Sequence, residues 1–256
     1  MCKSVKILIT VLLLLFSACA IQKGPTSSRL APVARSFDVC LKQGILFLNR
    51  REYGKAIEQL REAVALNPNS ARAYNYLGIA YFQLKNYDSA GEQFGKAVAL
   101  DSSFASAYNN LGGVYYIQRK FEKAKDNFKK ALSIDPNLVA ANYSLGTLLF
   151  YMGETEEGTS YLSKGIALDP DYLDKNKEFV ATLSSSIFGT PEIYFTYARL
   201  YASTGNIEKT VDYLKKAKQS GFTDWKRIIE EKEFEKVRDD PRIQEFTRLF
   251  SVVTQT

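Results

Sequence analysis

The sequence predicts an all-α protein: a solenoid of about five helix-turn-helix units, closed by C-terminal capping helices. Three observations carry that prediction. The chain repeats itself at a 34-residue interval, so that "ARAYNYLGIAYFQLKNYDSA" at 71–90 returns as "ASAYNNLGGVYYIQRKFEKA" at 105–124, with eight of twenty positions identical. Large apolar residues recur at three- and four-residue steps, as Tyr74, Leu77, Tyr81, Tyr87 and Phe94 do, which marks two amphipathic helices per unit. One such pair cannot bury its own apolar face, so units stack on one another.

Each column of the repeat has a physical task. Gly44, Gly78, Gly112 and Gly146 recur in register, as do Ala56, Ala90, Ala124 and then Gly158. A third column reads Ala63, Ala97, Ala131, Gly165. Small residues stand where two helices cross closely, because a larger side chain would hold the backbones apart. Pro68, Pro136 and Pro170, with Ser102 in the second unit, stop the second helix of each unit and open the next turn.

The columns resemble the tetratricopeptide repeat, a helix-turn-helix unit of about 34 residues. The resemblance implies a right-handed superhelical solenoid. Residues 37–172 hold four consecutive units, 173–190 an insertion and 191–222 a fifth unit, in which Ala198, Thr210 and Ala217 continue three columns once 18 residues are subtracted. The fourth unit departs from the pattern: Asn142 stands in a large-aromatic column, and Gly158 and Gly165 lower its helix propensity. The insertion breaks the register of stacking, and its Phe179, Leu183 and Phe188 allow either a short helix or a loop. Residues 223–256 read as capping helices, with Thr223 and Asp224 as candidate caps of one and Asp239 or Asp240 before Pro241 starting another.

Residues 1–18 read as a signal peptide: Lys3 and Lys6, then an apolar run from Ile7 to Phe16, then small residues. That run spans about 15 Å as a helix, half of what a bilayer core requires. "FSAC" at 16–19 resembles the lipobox of bacterial lipoproteins, which implies cleavage before Cys19 and a lipid on that cysteine; ordinary cleavage after Ala18 or Ala20 is the alternative. Residues 19–36, rich in Gly, Pro and Ser and without an acidic side chain, read as a flexible tether. The expected location is therefore an exported protein anchored in a membrane. By resemblance to the lipoproteins of two-membrane bacteria, Ala20 in place of Asp after the cysteine implies the outer membrane facing the periplasm if the host has two membranes.

Composition excludes most chemistry. There is no histidine, which removes Ser-His-Asp and Cys-His catalysis and imidazole metal sites. Cys2, Cys19 and Cys40 lack the CxxC spacing of zinc and dithiol sites, and Cys40 falls in an apolar pattern as a small core residue. No phosphate loop, dinucleotide fingerprint, HExxH or Ser-x-x-K motif occurs, so neither an enzyme nor a cofactor is expected. Glu58, Glu62, Glu92 and Asp126 take outward helix positions and read as a solvated face. Without Lys3 and Lys6 the chain carries 32 basic against 28 acidic side chains, too even a balance for a nucleic-acid partner. No small-molecule substrate is expected.

The groove remains. In the resembled family the first helices line the concave surface, and three columns point into it: Leu48, Phe82, Tyr116, Phe150; Leu41, Asn75, Asn109, Tyr143, Phe195; and Ile45, Ile79, Gly113, Thr147, Arg199. The aromatics there either pack on their neighbours or form a strip for an extended or helical peptide, with Asn75 and Asn109 bonding its backbone. The expected site is Leu48, Asn75, Ile79, Phe82, Asn109, Tyr116, Tyr143 and Phe150, and the expected partner is a protein segment. The implied function is a lipid-anchored scaffold that assists assembly of an envelope complex, as pilotin-type lipoproteins do. An adaptor for peptidoglycan or outer-membrane assembly enzymes is the alternative.

Overall fold

The structure, a computed structural model, describes residues 36–176 and 190–253, with side chains as far as Arg248. Cys19 and the signal and tether residues before Ser36 lie outside the described residues, as do Phe179, Leu183 and Phe188. Among the described residues there are thirteen α-helices, one 3-10 turn and no strand, so the all-α expectation holds. Four helix pairs follow one another: α1 Phe37–Asn49 with α2 Tyr53–Leu66, α3 Ala71–Gln83 with α4 Tyr87–Leu100, α5 Ala105–Ile117 with α6 Phe121–Ile134, and α7 Val139–Tyr151 with α8 Thr155–Leu168. Each helix packs on the one before it and the one after it, which makes the solenoid. After the short α9 Tyr172–Lys175 come α10 Pro191–Ser203 and α11 Ile207–Gln219, then α12 Arg227–Glu230, the 3-10 turn Lys232–Phe234 and α13 Pro241–Val253.

The glycine column fixes how closely paired helices cross. A β-carbon on Gly44, Gly78, Gly112 or Gly146 would stand 2.5–2.8 Å from Leu60, Phe94, Phe128 or Leu162 of the partner helix. In the fourth pair the approach is closer still. There the carbonyl oxygens of Gly146 and Gly158 lie 2.8–2.9 Å from each other's absent β-carbons, so neither position has room for alanine. Gly158 and Gly165 are thus not merely weak helix formers: Gly158 lets α8 sit against the backbone of α7, and Gly165 leaves room for the Tyr143 ring.

The turns inside the pairs close alike. Glu52 N donates to Phe47 O and Arg51 N to Leu48 O, and the same two bonds recur at Lys85–Asn86, Arg119–Lys120, Gly153–Glu154 and Gly205–Asn206. This is the Schellman closure, which requires a left-handed residue just past the helix. Gly153 and Gly205 meet that requirement freely, while Arg51, Lys85 and Arg119 adopt it with side chains, at about 1 kcal/mol each relative to glycine. Ser70, Asn86 and Asn206 cap the helices that follow them by accepting from the backbone N–H three residues on. At the C-terminal end the expected caps divide. Asp240 accepts from Arg242 N at 2.9 Å, whereas Thr223 and Asp224 cap nothing with their side chains, because α12 begins later, after Lys226.

The fifth pair is seated upside down. In the first four pairs like positions lie side by side: Asn110 Nδ2 on α5 reaches Asn75 Oδ1 on α3 at 2.9 Å. Regular stacking would put the start of α10 beside the end of α8. Instead Tyr201, near the end of α10, donates its hydroxyl to Pro170 O at 2.8 Å, just past the end of α8. Lys209, in the first turn of α11, pairs with Asp171 and Asp174 in the same place. Glu192 and Thr196, at the start of α10, share a cleft with Thr155 and Thr159 at the start of α8. Helix α10 therefore runs in the same direction as α8, where every earlier first helix runs against the second helix before it. Asn176 and Thr190 lie toward opposite ends of α8, a helix about 20 Å long.

Candidate functional site

The expected groove residues separate into two groups. Leu48, Ile79, Phe82 and Phe150 are half-buried and keep part of their surface open. Asn75, Asn109 and Tyr116 are 5%, 8% and 5% exposed, and Tyr143 is completely buried. For two of the aromatics, packing displaces the expected contact with a ligand. Tyr116 sets its ring edge-on to Phe121, with centroids 5.9 Å apart, and its hydroxyl is buried without a partner. Burial holds that hydroxyl well above its ordinary pKa, since the anion would lose its water. Tyr143 stacks on Tyr172 at 5.1 Å and donates to Asp169 O at 3.2 Å, so its ring belongs to the core.

The amides behave differently. Asn75 and Asn109 occupy the same place on successive first helices, and Asn110 donates into the Asn75 carbonyl between them. Neither the Asn75 nor the Asn109 amide nitrogen donates a bond within the described residues. Beside them, a β-carbon on Gly113 would meet nothing within 4 Å, so the backbone of α5 is bare there. Ile79 and Phe82 flank this stretch on α3, where Phe82 sits edge-on to Tyr87 at 5.4 Å. The centre of the first-helix face thus offers two free amide donors, bare backbone and two half-open apolar side chains. The unit-four anomaly, Asn142, lies elsewhere: fully buried, it donates to Pro136 O and Leu138 O at the start of α7.

The groove columns do not continue into the fifth pair, because that pair is reversed. Phe195 is fully buried, stacked on Phe222 at 4.2 Å. Arg199 lines the cleft of about 470 Å³ at the break in the stack, with Phe150, Thr155, Glu156, Thr159, Glu192, Thr196 and Arg227. Behind it, Glu231 holds Arg227 Nε at 2.6 Å and Arg199 Nη1 at 3.7 Å, and Arg227 Nη1 reaches Glu192 at 3.0 Å. The Arg227 guanidinium also lies 4.4 Å over the Phe195 ring. No sequence signal marks Arg227, Glu192 and Glu231 as partners, since their meeting depends on the reversal of α10.

A stack of helix pairs with a polar and apolar inner face and with glycine at its crossings is a repeat scaffold. Tetratricopeptide repeat models match residues 41–103, 105–138, and 139–172 together with 191–220, and the chain belongs to that family. Among solved structures, a thermophilic TPR protein from Thermus thermophilus superposes with a TM-score of 0.52 at 19% identity, over 86% of this chain and all of that one. MamA aligns at 23% identity over 69% of this chain and 93% of its own, with a TM-score of 0.48. YrrB, described as a TPR protein with an unusual peptide-binding site, aligns at 18% identity over 82% and 91%, also at 0.48. No curated protein matches the sequence.

Proposed function

We propose that this chain is a binding scaffold rather than an enzyme, holding an extended protein segment against the first helices of units two and three. The observation that carries the reading is the pair of Asn75 and Asn109 amide nitrogens, which donate no bond among the described residues and stand one repeat apart. Amides on neighbouring packed helices, about 8–10 Å apart, suit non-adjacent carbonyls of an extended backbone that rises about 3.3 Å per residue, with Phe82 and Ile79 taking an apolar side chain. Each lost amide bond weakens binding by a few-fold to about tenfold. The test is a peptide selected from a random library on the wild-type protein and titrated against Asn75→Ala, Asn109→Ala and Phe82→Ala. Weaker binding with unchanged melting supports the groove; equal affinity for all three variants sinks it.

The exported half of the proposal rests on sequence. Lys3, Lys6, the apolar run to Phe16 and "FSAC" support a lipid on Cys19, with the scaffold facing an envelope complex whose assembly it assists. Several acyl chains hold a protein firmly where one is marginal. Fractionation decides it: Cys19→Ala should leave the membrane or remain unprocessed, and a variant distributed like wild type ends the lipoprotein reading.

A further inference from the structure

Three successive turns carry cations on backbone that favours glycine. Arg51, Lys85 and Arg119 have φ of 60°, 60° and 58°, in the place where units four and five have Gly153 and Gly205. The fold accepts glycine at this position, so the side chains are not a requirement of the closure. A cation just past a helix is favoured by the helix dipole, but that benefit would apply equally in the fourth unit, whose turn is instead acidic with Glu154, Glu156 and Glu157. Residues held in a sparsely populated region, repeated at one place, point to use.

These cations share one edge of the stack. Neighbouring turns lie side by side, as Gln118 Nε2 shows by donating to Asp88 Oδ1 at 3.0 Å across two units. Arg50 and Lys120 flank the three left-handed residues, and all five are exposed. Arg50, Lys85 and Arg119 pair with no carboxylate among the described residues, while Glu52 on the same edge is already taken by Lys55 at 2.5 Å. Next to Lys85 stands Leu84, 51% exposed, and Leu46 in the last turn of α1 is 45% exposed.

We propose that this edge, formed by the turns of the first three units, docks on an anionic lipid surface. Arg50, Arg51, Lys85, Arg119 and Lys120 would meet headgroup phosphates, and Leu84 would enter the boundary with the acyl chains. Cations around an exposed leucine are the pattern of an interfacial contact, since the leucine gains nothing against a polyanion in water. The site is separate from the groove and does not depend on it.

Flotation of the full chain with vesicles tests the idea. Its apolar N-terminal run can insert into any bilayer, so the readout is the gain in binding on phosphatidylglycerol-rich vesicles over phosphatidylcholine alone. Wild type should show that gain and lose it in high salt. The triple variant Arg51→Gly, Lys85→Gly, Arg119→Gly should bind anionic vesicles roughly a hundredfold less, while melting at the same temperature or higher, because glycine relaxes the turns. Arg50→Gln with Lys120→Gln, which leaves the left-handed positions alone, should lower the gain roughly twentyfold to thirtyfold. Asn109→Ala should leave it unchanged. An anionic gain that survives in both multiple variants overturns the proposal, as does a wild type that retains DNA or polyglutamate through these residues but shows no preference for anionic vesicles.

Discussion

The ring of Tyr143 comes within 3.0 Å of where a β-carbon on Gly165 would stand. In units two and three the same two columns hold Asn75 with Ala97 and Asn109 with Ala131. The large ring and the missing methyl therefore go together: removing the side chain from α8 opens the space into which a tyrosine on α7 sinks. Tyr143 cannot retreat, being fully buried, stacked on Tyr172 and bonded to Asp169 O.

Gly165→Ala should consequently lower stability by about 1 kcal/mol, the crowding outweighing the gain in helix propensity. Tyr143→Asn alone should lower it further by emptying the space. The double variant restores the pairing of the middle units, and its loss should be smaller than the two single losses added. Urea unfolding of all four proteins gives the coupling, and strict additivity would show that the two residues ignore each other.

Gly158→Ala is expected to be worse, by about 1–3 kcal/mol. Its β-carbon would meet backbone, the Gly146 carbonyl oxygen at 2.8 Å, which cannot rotate aside as a ring can. Thermal melting of this variant against Gly54→Ala, where a β-carbon meets nothing within 4 Å, isolates crowding from propensity.

Tyr116→Phe should hold or raise the melting temperature, since it deletes a buried hydroxyl that has no partner. Tyr116→Ala should lower stability by about 3–5 kcal/mol, as for other large core truncations. If Tyr116→Ala melts like wild type, the ring is not packed as described.

Alkali should unfold this protein through its tyrosines. Burial raises Tyr172 and Tyr201 to about 12, and moves Tyr143, Tyr197 and Tyr213 up further. These groups ionise near pH 10 once unfolded. Because the folded values are raised, the folded state keeps its protons longer; its stability is whole below pH 10 and is lost as the pH climbs through the folded values. Melting temperature should therefore fall steadily above pH 10, and Tyr201→Phe should make that fall shallower.

The reversed fifth pair can be trapped chemically. The Lys209 amine touches the Asp174 carboxylate, so a carbodiimide should condense the two into an amide, found as a cross-linked peptide by mass spectrometry of the digested protein. Regular stacking would hold the two a helix length apart, about 20 Å, and no amide would form.

The helices and their turns were legible in the sequence because their causes are local. Apolar steps of three and four, glycine at each crossing and proline two residues past the second helix act within one unit. The fate of each ring was not, since Tyr143 is buried and Phe82 half-open through what stands on the neighbouring helix. The columns placed Phe195 and Arg199 in the groove because a column records position along a helix and not which way the helix points. The direction of α10 is held by Tyr201 with Pro170 and by Lys209 with its aspartates. Sequence periodicity carries no trace of those contacts.

A row of like units can lengthen by copying a unit, provided each new one finds the face its predecessor offers. Up to Leu168 this chain keeps that rule, and a gene encoding it could gain or lose a 34-residue module there without disturbing the rest. The inverted pair ends the series. It presents its neighbour with a face no further module of the same kind would recognise, and Trp225, Phe234 and Phe246 then cover what is left. Growth by duplication is thereby confined to the N-terminal side of the insertion, and the reversal works as a stop signal written in three dimensions.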